Sequence, residues 1–201
     1  MSELTLLQAV RLKGRVSEAD LAATLGEAPA ATAMTVNMLV ESGLLVTGKT
    51  LKISSAGRDR LAELLAEERN GIDSAAITAI YDEFRSVNAE FKELVADWQV
   101  KHGQPNGHDD AEYDAAVLAR LDVTHERVTR ILDSVVPQLP RLRRYTEKLS
   151  EALARVEEGD VSWLTRPMID SYHTVWFELH EELILAAGLT REAEAKAGHA
   201  Q

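Results

Sequence analysis

The stretch from Ser17 to Ala56, SEADLAATLGEAPAATAMTVNMLVESGLLVTGKTLKISSA, constrains the chain most. Ser17 stands three residues before Asp20, the pattern of a helix start with a capped first turn. A helix over 17–25 is expected to end at Gly26, because glycine takes the left-handed backbone at a helix end without steric cost. Pro29 stands where a second helix, 29–42, begins, at a position that needs no N–H partner. Leu44–Val46 and Leu51–Ile53 read as two short strands around the turn Thr47-Gly48-Lys49-Thr50. Helix, sharp turn, helix and hairpin is the order of a winged helix-turn-helix.

Three runs here resemble the winged-helix domain of MarR-type transcriptional regulators: Asp20-Leu21-Ala22, Val40-Glu41-Ser42-Gly43-Leu44-Leu45 and Lys52-Ile53-Ser54-Ser55-Ala56-Gly57-Arg58. The resemblance covers residues 4–69, about a third of the chain. It implies a DNA-binding regulator that acts as a homodimer on double-stranded DNA. Met34 and Met38 are expected to face the core, leaving Thr32, Thr35 and Asn37 for the bases. Arg15, Lys49, Lys52 and Arg58 are the candidates for phosphates. The second helix of the motif has no Lys or Arg, so the commonest specific contact, a cation to guanine, is closed to it.

Charge separates the chain into two parts. Residues 1–69 hold 8 Lys+Arg against 9 Asp+Glu, and residues 70–201 hold 14 against 24, so the acidic excess behind the net −11 is distal. There is no cysteine, which excludes disulfides and thiolate metal sites and fits a cytoplasmic protein. No apolar run approaches the ~20 residues of a membrane span, and the N-terminus has no leader pattern.

The distal part reads as four amphipathic helices: 72–101, 110–135, one from Pro137 to Gly159, and Met168–Ala187 opened by Pro167. The fold class is therefore mainly α: a winged helix-turn-helix over 1–69, a four-helix bundle-like effector or dimerisation domain over 70–189, and a flexible tail over 190–201. No second run of strands is expected. The segments 91–99, 114–121 and 171–183 resemble a helical module found behind winged helices in actinobacterial proteins, some of them similar to proteins linked with pyruvate phosphate dikinase. They do not resemble the dimerising helices of the MarR family.

His125, His173 and His180 lie on these helices, with His173 and His180 seven apart, ~10 Å along the axis. The reading nearest to hand is half-buried histidines held by neighbouring acids. The sharper one is an apolar pocket for a small effector, lined by His125, His173, Trp176 and His180, with Arg141, Arg143 and Arg144 either meeting an acidic ligand or balancing nearby acids. Glu181-Glu182 reads as solvated charge. Phosphate-loop, dinucleotide-binding and nucleophile-elbow patterns are missing, so the chain is not expected to be an enzyme or to carry a cofactor. The rival to a regulator is a winged-helix adaptor that binds protein, or an accessory subunit of a metabolic enzyme.

Overall fold

The computed structural model describes residues 2–199. It is mainly helical, with ten α-helices and two small two-stranded sheets among those residues. The chain divides into two compact units, one ending at Ile72 and the other beginning at Asp73. No helix among the described residues is long and apolar enough to cross a membrane.

The N-terminal unit runs α1 (Glu3–Lys13), α2 (Glu18–Leu25), α3 (Pro29–Glu41), β1 (Leu45–Val46), β2 (Lys52–Ile53) and α4 (Ser55–Asn70). Three of its four helix starts are set by serine oxygens, and α3 starts at Pro29 without a side-chain cap. Ser2, Ser17 and Ser54 accept from the backbone N–H groups of Thr5, Asp20 and Gly57. β1 and β2 are antiparallel, Leu45 opposite Ile53, and an isolated bridge joins Val16 to Leu51. Leu6, Leu7, Leu21, Val36, Leu45, Leu51 and Leu61 form the core.

Gly57 marks the closest approach in this unit. A Cβ built there would lie 2.1 Å from the Leu44 carbonyl oxygen, which accepts from the Ser54 N–H at 3.0 Å. Gly57→Ala is expected to force the first turn of α4 away from the strand entry and to cost about 2 kcal/mol. Urea denaturation of the variant checks this, and an unchanged midpoint would refute it.

The second unit holds α5 (Ser74–Gln99), β3 (Val100–Lys101), β4 (Gln104–Pro105), α6 (Ala111–Val135), a 3₁₀ turn (Pro140–Leu142), α7 (Arg143–Glu157), α8 (Ser162–Thr165), α9 (Tyr172–Ala186) and α10 (Arg191–Lys196). α5 packs along α6, α7 packs on α9, and α9 also meets α5, α8 and α10. Four expectations fail here. The segment after α5 contains a second hairpin, β3–β4, in place of a plain loop. The third long helix starts at Arg143 rather than Pro137, behind the 3₁₀ turn. Met168 has φ +70° and cannot be helical, so α9 begins at the Ser171 cap. Residues 191–196 of the expected tail form α10, whose Glu194 is buried. The remainder of that tail, beyond His199, lies outside the described residues.

Candidate functional site

In the N-terminal unit, the buried stripe of α3 is Thr32, Val36 and Leu39, at i, i+4 and i+7. Thr32 is fully buried, with its hydroxyl unpartnered, and so faces the core rather than a base. Met34 and Met38 are 70% and 59% exposed, the reverse of the expected placement. The reason is helical phase. A stripe through 32, 36 and 39 turns positions 34 and 38 outward, and the threonine methyl serves as the core's apolar contact. Thr35 is half-buried and donates to the Ala31 carbonyl at 3.2 Å, while Asn37 is exposed.

The four cations expected to meet phosphates share one small region. The Val16–Leu51 bridge, with N···O distances of 3.3 and 2.8 Å, brings Arg15 next to the strand that carries Lys52. Lys49 lies in the hairpin connection, and Arg58 follows in the first turn of α4, with Nη1 3.5 Å from the Ile53 carbonyl oxygen. Arg15, Lys49 and Arg58 are exposed and Lys52 is half-buried. Among the described residues, no carboxylate pairs with any of the four. Arg60, two residues on from Arg58, instead reaches Glu3, Glu63 and Glu67 at 3.3, 3.1 and 3.7 Å, and these carboxylates raise its pKa.

The second unit is built around α9, which is buried on nearly every side. Its carboxylates are not solvated, as the sequence reading had Glu181 and Glu182. Glu182 is completely buried and is held by Arg141 Nη1 at 2.5 Å, Arg144 Nη2 at 3.2 Å and the donating Tyr145 hydroxyl at 3.1 Å. Glu181 pairs with Arg191 at 2.6 Å, and Glu178 lies 3.7 Å from Lys148, which is 2.9 Å from Asp170. Arg141 and Arg144 therefore balance an internal acid. Burial, then the Glu182 charge, pushes the Tyr145 hydroxyl far above its ordinary range.

A cleft of about 260 Å³ opens between α5, α9 and the chain around α10. His173, Trp176 and His180 line it, as expected, together with Phe91, Lys92 and Arg191. His125 does not. Its ring faces α9 and α7, with Nδ1 3.3 Å from the Tyr172 hydroxyl and Nε2 3.4 Å from Ser150. Burial lowers the pKa of both His125 and His173.

Behind the cleft runs a hydrogen-bonded chain that sequence reading missed. Arg85 grips Glu194 through Nη2 and Nε at 2.6 and 3.1 Å. The Tyr81 hydroxyl donates to Glu194 at 2.7 Å, so His180 Nε2, 3.2 Å away, carries a proton and donates to the tyrosine oxygen. Burial, followed by the charge of Arg191, lowers the His180 pKa to about 4, so the ring is neutral at pH 7. The Trp176 indole N–H donates to Asn88 at 2.9 Å, and Asn88 donates to the His199 carbonyl at 3.0 Å. No local sequence signal links Tyr81 to Glu194, which lie 113 positions apart.

Among the described residues, no group of three or more His, Asp or Glu side chains comes together as metal ligands would. Compared with known proteins, the chain matches no protein-family model, no curated protein and no solved structure.

Proposed function

We propose that the protein is a DNA-binding transcriptional regulator. In this reading the N-terminal unit is a winged helix, and the helical unit pairs two copies and senses a small effector. One observation carries it: Arg15, Lys49, Lys52 and Arg58 are gathered around one small sheet with no carboxylate partner among the described residues. Cations left unpaired in one place suit a phosphate backbone, whose contacts position a protein on the duplex. Base reading falls to Asn37 and the half-buried Thr35, so sequence discrimination through α3 is thin. The effector acts by changing the spacing of the two winged helices and hence their fit to half-sites one helical turn apart.

The test is binding to a labelled duplex from the chain's own upstream DNA, against random competitor, over a range of salt. Four phosphate contacts give a slope of log K on log salt of about −3.6. Lys49→Ala and Arg58→Ala are each expected to weaken binding and reduce that slope by about one. A flat slope refutes the regulator. It favours the second reading, an adaptor that docks protein, for which the exposed Met34 and Met38 speak directly. In that case Met34→Glu with Met38→Glu abolishes partner capture and leaves the fold intact.

A further inference from the structure

We infer that the cleft between α5 and α9 takes a short aliphatic carboxylate, of the size of hexanoate. The inference deepens the effector part of the proposed regulator and rests on that reading for its biological meaning alone.

Charge points to an anion. The second unit carries 14 Lys+Arg against 24 Asp+Glu, yet among the described residues that line the cleft none is Asp or Glu. Of its two full cations, Arg191 is already neutralised by Glu181 at 2.6 Å. Lys92 is not. Its ammonium makes one 3.5 Å contact, to the Gly198 carbonyl, and no carboxylate pairs with it among the described residues. Lys92 is half-buried as a residue, and an ammonium beside apolar walls binds a carboxylate more strongly than one in open water does.

Shape points to an aliphatic body. Phe91 and Trp176 are 1% and 2% exposed, with ring centroids 4.3 Å apart, and Phe84 lies 5.2 Å from Trp176 on centroids. These rings are packed on one another and leave little open face for a flat ligand. Phe177 is 41% exposed, but the Arg191 guanidinium lies 4.4 Å from its ring centre. Ring edges and the methyls of Val95 and Ala96 remain, and these suit a chain of methylenes. At about 260 Å³ the cleft is smaller than the ~300–1,000 Å³ pockets that take drug-sized ligands. Hexanoate fits within that limit.

The experiment follows the Trp176 indole N–H of the full chain by ¹H–¹⁵N NMR, assigned with Trp176→Phe, during titration with hexanoate, hexanamide and hexylamine. Hexanoate is expected to shift the signal saturably with a Kd of about 1 mM or below. Hexanamide, its neutral counterpart, is expected to bind at least tenfold more weakly, and hexylamine weaker still. Lys92→Met keeps the side-chain stem and drops hexanoate to the level of the amide, while Lys92→Arg restores it. Equal binding of acid and amide, an unchanged Kd in Lys92→Met, or no saturable shift would each overturn the inference. DNA binding is measured separately and without hexanoate. Its loss alone sinks the regulator and leaves the carboxylate site standing.

Discussion

Glu182→Ala is expected to destabilise the helical unit by about 3–5 kcal/mol, the cost of breaking a buried ion pair from one side. Glu182 is 0% exposed, and its two cations, Arg141 and Arg144, are 8% and 13% exposed. Removing the carboxylate takes the 2.5 Å contact from Arg141 and the 3.2 Å contact from Arg144 in a poorly solvated interior. Arg144 is the more exposed to this loss, because its Nε and Nη1 are buried with no partner of their own. Its hold on the structure runs through Nη2, which reaches Glu182 and the Tyr145 hydroxyl. Tyr145 would also lose the acceptor for its hydroxyl proton. Chemical denaturation of the full chain reads the effect. A companion variant, Glu182→Leu with Arg141→Leu and Arg144→Met, removes all three charges and is expected to recover most of the loss. A cost below about 1 kcal/mol for Glu182→Ala would mean that water reaches the triad and the packing around α9 is looser than described.

The second large effect is a loss of stability on mild acidification, centred on His180. Its folded pKa is about 4, against an unfolded value of about 6.5. Between these values the unfolded chain binds the proton and the folded chain does not. Stability is therefore full above pH 6.5 and falls as the pH drops towards 4, by up to about 3 kcal/mol. His125, whose pKa is also lowered by burial, adds with the same sign. Glu194, held below its usual range by Arg85 and Tyr81 against the opposing effect of burial, loses its contribution only at lower pH, as it protonates. His180→Asn is expected to lower stability at pH 7, through the lost contact with Tyr81, and to flatten the profile between pH 6.5 and 4. Denaturation midpoints taken across that window check it. An unchanged slope in the variant would show that His180 is not the group that titrates.

Local chemistry was legible and long-range pairing was not. The Ser17 cap, the left-handed Gly26 at φ +64° and Pro29 at the first turn of α3 are all where the residues predict them. Each depends on atoms a few positions away. The phase of α3 escaped because Met34 and Met38 are the more apolar residues, while packing chose the β-branched Thr32 and Val36. Glu182 escaped because its partners, Arg141 and Arg144, lie 41 and 38 positions upstream. A clue was nonetheless present. In α9 the apolar residues at 175, 176, 179, 183, 184 and 186 cover so much of the circumference that the acids between them have little outer face left. The same argument explains the cleft: His173, Trp176 and His180 share a side of α9, and His125 was never within reach of it.

The order in which α9 and α10 arrive gives the two units different folding histories. The N-terminal unit closes over shorter spans, such as the 57 positions from Glu3 to Arg60. The second unit must join Tyr81 to Glu194 and Asn88 to His199, 113 and 111 positions apart. Contacts that close such long loops form late, and topologies rich in them fold slowly. During synthesis Arg141, Arg144 and Lys148 emerge well before Glu178 and Glu182 do. For that interval the nascent chain exposes the apolar faces of α5 and α7 beside three cations whose α9 partners are still to come. A chaperone that meets this intermediate finds these cations and apolar faces on a segment, residues 73–160, that already carries 11 Lys+Arg against 18 Asp+Glu.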